Sequence, residues 1–443
     1  MRKKFVFIGA GSLVFTTNLI RDILSFEAFS DAELHLVDID KKRLSYAEQA
    51  ANKIIEAGNY GAVVRPTMNR KEALEGADGV IITILHGGVD VWRHDIEIPK
   101  KYGVDINVGD TRGPSGVFRF LRTAPVLMEI MRDIEALCPN AMVQNYTNPM
   151  GMLCNYLQRM SKVKVTGLCH SVQGTAEMLA EWIGAKPSEV TYTCSGINHQ
   201  AFYLDFKWNG EDAYPLLKEK VLNDPAISAA EPVRNEMFLN LGYYPTESSG
   251  HNSEYLPWFR KRQDLIEKYC THGTNWNPGE YAYILKGALK SVDTWETHFT
   301  DFLANDKIDL SKGPEYASDI FNALFGDGTP FVFNGNQLNN GIIPNLSPLA
   351  CVETPVMASV HGLQYLQAGE LPDNLAILIN TSARVEEMAV NAAIEGDPWK
   401  VFQANLFDPL TASVCSMAEI KQMTQEMLDI NAEYLGYFKS IKL

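Results

Sequence analysis

The sequence lacks long apolar runs, an excess of basic charge and a regular spacing of cysteines. No run in its 443 residues approaches the ~18 consecutive apolar residues of a membrane-spanning helix, so we expect no membrane partner. The formal net charge of −15 disfavours nucleic acid as a partner. The seven cysteines form no disulfide framework, which favours a reduced protein in the cytoplasm.

Strand-like and helix-like segments alternate through the first half of the chain. Apolar segments predict strands at residues 4–8, 32–38, 63–66, 79–85 and 141–146, and amphipathic segments between them predict helices. This alternation is typical of a doubly wound parallel sheet with right-handed crossovers. The first half of the sequence therefore predicts a Rossmann-like α/β fold.

The pattern changes after about residue 168. Paired strands are predicted near residues 190–204, late strands at 331–333 and 351–356, and amphipathic helices over the last part of the chain. A chain of 443 residues is long enough for two packed domains, so we expect a second, mixed α+β part.

Two glycines follow the first predicted strand, and an acidic residue ends the second. Gly9-Ala10-Gly11-Ser12 joins strand to helix, and Asp38 lies 27 residues after Gly11. In dinucleotide-binding folds such glycines let backbone N–H groups approach the pyrophosphate, while the acid accepts hydrogen bonds from a ribose. Val14 replaces the third glycine of the usual motif, so a tight turn without a nucleotide remains the alternative.

Two further polar segments lie at the ends of predicted elements. Residues 109–116, with the sequence Gly-Asp-Thr-Arg-Gly-Pro-Ser-Gly, precede a helix, and residues 145–149, Asn-Tyr-Thr-Asn-Pro, end an apolar strand. Glycines allow close approach of a ligand, and ligands bind at the carboxyl ends of parallel strands. The alternatives are a surface loop that begins a helix and a plain turn.

Cysteine and histidine follow two separate predicted strands. Cys169 and His199 offer a thiolate and an imidazole, which suit Mn²⁺, Fe²⁺ or Zn²⁺, although a buried cysteine and a hydrogen-bonded histidine are the alternative. The polar run at residues 246–255 offers Tyr255 and His251 as candidate general bases, although solvated loops have similar compositions.

Taken together and in order, these motifs resemble those of glycoside hydrolase family four, most closely its bacterial α-galactosidases. The resemblance extends from Phe5 to the C-terminal region. The motifs that carry it are Ile8-Gly9-Ala10-Gly11-Ser12, Val37-Asp38-Ile39-Asp40, Gly109-Asp110-Thr111 with Gly113-Pro114, Leu121-Arg122-Thr123, Asn145-Tyr146-Thr147-Asn148-Pro149, Gly167-Leu168-Cys169-His170-Ser171, Gly196-Ile197-Asn198-His199 and Thr246-Glu247-Ser248-Ser249.

The resemblance implies a fold like that of lactate and malate dehydrogenases. We expect an NAD-binding Rossmann-like domain over residues 1–195 and a mixed substrate-binding and C-terminal domain over residues 196–443. It also implies a glycosidase that uses NAD and a divalent metal, typically Mn²⁺, on a small-molecule glycoside. Such enzymes oxidise the sugar at C3, remove the C2 proton, expel the aglycone, add water and regenerate the cofactor. A homo-oligomer, a dimer or tetramer, is also expected.

The same match implies roles for individual residues. The cofactor would contact Gly9, Ala10, Gly11, Ser12, Asp38 and Asn148. Cys169 and His199 would hold the metal against the C2 and C3 oxygens of the sugar. The substrate would contact Asp110, Arg112, Asn148 and His170. His170 would assist departure of the aglycone, and the base would be Tyr255, with His251 as the second choice.

Two departures from the family pattern bear on the substrate. Cys169-His170-Ser171-Val172 lacks the residues that phosphoglycosidases carry after the metal cysteine, so a 6-phospho-sugar is not expected. Arg112 stands where the α-galactosidases carry an apolar residue, and a guanidinium there could clamp a carboxylate. An α-galacturonidase or related uronide hydrolase is therefore the alternative, beside an NAD-dependent hydroxy-acid dehydrogenase and a non-catalytic nucleotide sensor.

Overall fold

Twelve strands form one sheet in the computed structural model, which describes residues 2–273 and 277–443. The strands are β1 (Lys4–Ile8), β2 (Glu33–Val37), β3 (Val63–Thr67), β4 (Gly79–Ile82), β5 (Met142–Asn145), β6 (Val165–Gly167), β7 (Val190–Ile197), β8 (Gln200–Trp208), β9 (Glu211–Asp212), β10 (Phe331–Leu338), β11 (Cys351–Ser359) and β12 (Gly362–Tyr365). Their order is β3-β2-β1-β4-β5-β6-β10-β11-β7-β8-β9, and β12 pairs with β11.

The first six strands are parallel and have the order of a dinucleotide-binding fold. β4 and β5 are buried throughout, as expected for a sheet covered on both faces. β10 is antiparallel to β6, and β7, β8 and β11 extend the sheet with antiparallel pairs. The predicted Rossmann-like parallel sheet with a mixed second part is confirmed.

The helices cover both faces of the sheet and the end of the second part. They are α1 (Leu13–Leu24), α2 (Lys41–Gly58), α3 (Arg70–Leu74), α4 (Gly88–Lys101), α5 (Gly113–Leu137), α6 (Met150–Met160), α7 (Ser171–Ile183), α8 (Tyr214–Asn223), α9 (Pro225–Ala230), α10 (Pro232–Leu241), α11 (Ser249–Tyr255), α12 (Gln263–Tyr269), α13 (Tyr283–Ala304), α14 (Tyr316–Phe325), α15 (Asp373–Glu395), α16 (Pro398–Phe407), α17 (Pro409–Val414) and α18 (Met417–Ile430). Within the described ranges, no helix is long and apolar enough to cross a membrane.

Helix α5 begins earlier than the sequence indicates. The helix was predicted to follow residues 109–116, but Gly113-Pro114-Ser115-Gly116 already forms its first turn. Proline is compatible with that turn, which lacks intrahelical N–H bonds. A side chain at Gly116 would place its Cβ 2.7 Å from the carbonyl carbon of Thr111, so glycine is required where the loop folds back on the helix. This segment is therefore buried rather than a surface loop.

The predicted boundary at residues 195 and 196 lies inside β7. Because β10 and β11 pair with β6 and β7, the second half of the chain completes the sheet begun by the first. The division into residues 1–195 and 196–443 stays a prediction about the folding units.

A buried ion pair ties α5 to α4 and to the end of α18. Arg122 Nη1 and Nη2 donate to the two carboxylate oxygens of Asp95 at 2.9 and 2.5 Å, and Nη1 also donates to Asn431 Oδ1 at 2.7 Å. The two charged side chains are 1% and 0% exposed. Arg122 lowers the pKa of Asp95, but burial has the larger effect and raises this pKa above its ordinary value. Each charge is therefore compensated only while its partner remains in place.

We predict that Arg122→Met lowers the free energy of unfolding by about 3–5 kcal/mol, because it leaves the Asp95 carboxylate buried without its partner. Urea-induced unfolding would measure the change. Arg262→Met is the matched control, because its pair with Asp264 is solvent-exposed. If Arg122→Met unfolds at the same urea concentration as Arg262→Met, the pair does not anchor these helices.

Candidate active site

The glycine turn after β1 packs against the end of β2. Gly9 N and Ala10 N donate to the carbonyl of Val37 at 2.9 and 3.0 Å, and Gly11 N donates to Asp38 Oδ2 at 2.7 Å. Gly9 has a φ of 90°, and a Cβ there would lie 2.2 Å from the carbonyl oxygen of Thr83. The turn therefore requires glycine for its own backbone conformation, and it lies directly beside Asp38.

Ser12 and two exposed apolar residues flank this turn. Ser12 is the N-cap of α1, and its side chain makes no capping hydrogen bond. Val14 and Ile39 are 65% and 91% exposed. Exposed apolar side chains on both sides of a glycine turn form a surface on which a flat apolar ligand group can pack.

Cys169 and His199 come from different strands and meet at one point. Cys169 follows β6, and His199 lies in the turn between β7 and β8 with a φ of 61°. Cys169 Sγ lies 3.2 Å from His199 Nε2. Burial, reinforced by nearby carboxylates, raises the pKa of the Cys169 thiol well above its ordinary value. Burial lowers the pKa of His199 to about 4, so the imidazole is neutral at pH 7.

Hydrogen bonding fixes the tautomer of His199. Thr111 Oγ1 lies 2.7 Å from both Asp110 Oδ1 and His199 Nδ1. Burial works to raise the pKa of Asp110, but His251 and Arg119 lower it below its ordinary value, so Asp110 is ionised and only accepts. The single hydroxyl proton of Thr111 therefore goes to Asp110, and His199 Nδ1 must be the protonated nitrogen. The lone pair of His199 Nε2 then faces Cys169.

A second imidazole completes a cluster of ligand atoms. Within the described part of the chain, Asp110, His199 and His251 each offer one potential metal-ligand atom, and these three atoms lie within 4.8 Å of one another. His251 Nε2 is 3.8 Å from Asp110 Oδ1. His251 Nδ1 contacts Ser248 Oγ at 2.8 Å, so its other nitrogen faces the cluster. His251 thus lies beside the predicted metal pair, where it was expected only as a base.

Glu247 belongs to the same cluster but was not predicted. Its Oε1 is 3.6 Å from His199 Nε2 and 3.8 Å from His251 Nε2. Burial works to raise the pKa of Glu247, but His251 and His199 hold it below its ordinary value. Its φ of 70° is a conformation that costs a non-glycine residue about 1–3 kcal/mol and that occurs most often at functional sites. The sequence signals for it were the polar run at residues 246–255 and the family motif Thr246-Glu247-Ser248-Ser249 within that run.

Two other predicted segments also meet here. Asn148 follows β5, and its Nδ2 donates to Asp110 Oδ2 at 3.2 Å. Arg119 Nε donates to the backbone carbonyl of Asn148 at 3.2 Å. The structure thus brings Asp110 and Asn148 into direct contact in the cavity that Cys169 and His199 also line.

Tyr255 and Arg112 are buried beside His199. The Tyr255 hydroxyl lies 3.4 Å from His199 Nδ1, and burial raises its pKa well above the ordinary value. The Arg112 guanidinium stacks on the Tyr255 ring at 4.3 Å. Its Nε and Nη2 donate to Glu386 Oε1 at 3.1 and 2.9 Å, and Nη2 also donates to the Asn198 carbonyl at 2.7 Å. Arg112 is therefore paired within the protein, and its contact with substrate stays a prediction.

His170 is the most accessible of these side chains. It caps the N-terminus of α7, its side chain is 54% exposed, and its Nδ1 lies 3.4 Å from Glu315 Oε1. The contact with Glu315 raises the pKa of His170 above its ordinary value. Glu315 directly precedes α14, and no local motif in the sequence marked it.

One cavity of about 1150 Å³ contains most of these groups. Its lining includes Asn148, Cys169, His170, His199, Glu247 and His251. The cavity therefore joins the end of the nucleotide-binding strands to the thiol–imidazole pair. Such a site can bind a small polar molecule and a divalent cation together and place a proton donor and carboxylates around them.

Two sequence profiles match the chain over most of its length. The profile of the Family 4 glycosyl hydrolases matches residues 4–185, and that of the Family 4 glycosyl hydrolase C-terminal domain matches residues 194–411. In solved structures, a 6-phospho-alpha-glucosidase from gut microorganisms, bound to NAD and Mn²⁺, has a TM-score of 0.81 at 18% identity over 98% of this chain and 99% of that one. Malate dehydrogenase of Cryptosporidium parvum has a TM-score of 0.52 at 17% identity over 89% and 99%. These likenesses show the fold, and the second confirms its predicted dehydrogenase-like architecture.

Characterised relatives match almost the whole chain. An alpha-galactosidase of Bacillus subtilis is 36% identical over 99% of this chain and 100% of its own, and one of Rhizobium meliloti is 37% identical over 98% and 89%. An alpha-galacturonidase of Thermoanaerobacterium saccharolyticum is 30% identical over 98% and 96%. Profiles and relatives together show that the chain belongs to the family 4 glycosyl hydrolases.

Proposed function

We propose that this glycosyl hydrolase is an α-galactosidase that uses bound NAD and a divalent metal, Mn²⁺ in the first instance. The observation that carries the proposal is the Cys169–His199 pair, 3.2 Å apart, in the same cavity as Asn148 at the end of the nucleotide-binding strands. The similar α-galactosidases, at 36% and 37% identity, support the choice of sugar. The cytoplasmic location and the homo-oligomeric state, a dimer or tetramer, stay predictions.

The residues of the first domain fit NAD. Gly9 and Gly11 leave no room for a Cβ, since one at Gly11 would lie 2.7 Å from Asp38 Oδ2, and they keep the turn close to β2 just before the N-terminus of α1, where a pyrophosphate can bind. Asp38 directly follows β2, where a carboxylate accepts from ribose hydroxyls, and the exposed Val14 and Ile39 can pack against adenine. We assign Ala10, Ser12 and Asn148 to the same site.

The donor set of the cavity fits a divalent transition metal. Cys169 offers sulfur and His199 a neutral imidazole nitrogen, and Asp110, His251 and Glu247 lie close enough to add oxygen or nitrogen. When bound, NAD would accept and return hydride at the sugar C3, and the metal would polarise the C2 and C3 oxygens. The protein then has to move protons at the C2 carbon and at the glycosidic oxygen.

His170 is positioned to supply the proton for the departing aglycone. It is exposed to the cavity, and Glu315 favours its protonated form, so it can hold a proton near neutral pH. Removal of the C2 proton requires a base, which we assign to Tyr255, with His251 second. Glu247 joins them as a candidate, because it is ionised and lines the cavity, whereas burial keeps the Tyr255 phenol protonated.

A uronide is the second candidate substrate. Its main support was Arg112 as a clamp for the substrate carboxylate, and the contacts of Arg112 argue against that role. The carboxylate of a uronate binds best to a cation whose charge the protein does not already compensate. The Arg112 guanidinium, however, already pairs with the Glu386 carboxylate at 2.9 Å. An uncharged galactoside needs no such cation. The hydroxy-acid dehydrogenase and the nucleotide sensor are set aside, because the chain belongs to a family of glycosyl hydrolases.

We predict that Cys169→Ser abolishes turnover of p-nitrophenyl α-galactoside and weakens Mn²⁺ binding, because it removes the sulfur ligand. Calorimetric titrations with Mn²⁺ and with NAD would check this, and the NAD affinity should stay within a few fold. Cys415→Ser is the matched control, since Cys415 is another partly buried free thiol. Full activity of Cys169→Ser, or of the wild type in excess EDTA, would contradict the metal assignment.

Thr111→Val should weaken Mn²⁺ binding by about 10- to 100-fold, because it releases the hydrogen bond that fixes the His199 tautomer. Thr111→Ser keeps the hydroxyl and should restore the affinity. The NAD affinity of both variants should remain at the wild-type value. Equal Mn²⁺ affinity in the valine and serine variants would show that the hydroxyl does not orient His199.

Sugar released in D₂O should carry deuterium at C2, because a base that removes this proton exchanges it with solvent. Tyr255→Phe should lower both turnover and this incorporation if Tyr255 is the base, while Glu247→Gln should do so if Glu247 is. Mass spectrometry and NMR of the released galactose would measure the label. Galactose without deuterium at C2 would refute the elimination mechanism whatever the mutants show.

A further inference from the structure

The cavity continues beyond the catalytic groups along one face of α7. His170, Gly174, Met178 and Trp182 recur at the spacing of one helical turn, and all four line the cavity. At the rise of an α-helix, this face extends about 18 Å from His170 to Trp182. The total volume of about 1150 Å³ exceeds the roughly 300–1,000 Å³ of ordinary small-molecule sites, so the cavity has room for more than one sugar ring.

Trp182 provides an aromatic surface at the end of the cavity farthest from His170 along α7. Its ring makes an edge-to-face contact with Tyr244 at 5.8 Å, and it is only partly buried, so its remaining surface faces the cavity. The apolar C–H face of a pyranose ring packs well on such a surface, and the indole N–H can donate to a hydroxyl. Between Trp182 and His170, a Cβ at Gly174 would meet no atom within 4 Å, so the groove is open there.

The arginine that lines the groove is paired within the protein. Arg234, which also lines the cavity, donates from Nε to Glu231 Oε2 at 2.8 Å and from Nη1 to Thr175 Oγ1 at 2.9 Å. Its Nη2 contacts the sulfur of Met178 at 3.1 Å. The exposed Glu181 carboxylate adds hydrogen-bond acceptors. The groove thus presents a paired arginine, an aromatic ring and carboxylate acceptors. These groups suit an uncharged, hydroxyl-rich ligand better than an anion.

We propose that this groove, defined by His170, Gly174, Met178, Glu181 and Trp182, is an aglycone-binding site for a chain of neutral sugars. The inference rests on the proposed function, because His170 at its inner end marks where the aglycone leaves. The substrate class is then a galactosyl-terminated oligosaccharide, with Trp182 as the stacking surface for a sugar distant from the cleaved bond.

The test measures kcat/KM of the full-length enzyme, with NAD and Mn²⁺, on p-nitrophenyl α-galactoside and on galactosyl-terminated di-, tri- and tetrasaccharides of one linkage. For the wild type we expect kcat/KM to rise about tenfold from di- to tetrasaccharide. Trp182→Ala should remove this gain through a higher KM and leave the p-nitrophenyl substrate unaffected. Trp399→Ala, a substitution of an exposed tryptophan on α16, is the matched control and should keep the gain.

Gly174→Leu provides a second variant that is expected to fold, because leucine favours a helix more than glycine and has open space at this position. It should obstruct the groove and penalise the tetrasaccharide most. A wild type without preference for longer chains, or a preference that survives both Trp182→Ala and Gly174→Leu, would overturn the aglycone site. Failure of the wild type to cleave any α-galactoside would instead overturn the proposed function, and this inference with it.

Discussion

The placement of one proton on Thr111 determines how the rest of the site is arranged. An ionised Asp110 takes the hydroxyl proton of Thr111, which leaves the Thr111 oxygen as an acceptor for His199 Nδ1–H. The lone pair of His199 is thereby directed at Cys169 before any cation binds. Because His251 and Arg119 hold the pKa of Asp110 below its ordinary value against the effect of burial, two further segments of the chain support this orientation.

Two residues of the same site have strained backbone conformations, and the surrounding structure has to stabilise them. His199 and Glu247 both have φ values in the left-handed region, at 61° and 70°, and each such non-glycine residue costs about 1–3 kcal/mol. His199 lies in the turn between two long paired strands, and Glu247 lies just before α11, whose N-cap Ser248 binds His251. The surrounding buried structure thus holds the side chains of His199 and Glu247 in positions that a free loop would not adopt.

The sequence allowed prediction of what depends on local pattern. The parallel strands and the glycine turn beside Asp38 follow from periodicity and turn chemistry, and the position of Cys169 and His199 at strand ends follows from the same reasoning. Glu315 and Glu386 could not be predicted, because each reaches its partner across more than a hundred residues and stands in no recognisable motif. The early start of α5 was missed because Gly116 in its first turn is required by packing against Thr111 rather than by helix propensity.

Charge matching explains why an arginine next to His199 does not by itself make a carboxylate site. Arg112 and Arg234 are both almost fully buried, and each faces a glutamate of the same chain at less than 3 Å. These glutamates already compensate the charge of both arginines, which weakens the attraction of either arginine for the carboxylate of a uronate. A neutral sugar leaves both pairs intact and uses the hydroxyl, carboxylate and aromatic groups that the cavity already presents. The internal pairing of Arg112 and Arg234 therefore favours the proposed neutral galactoside over a uronide.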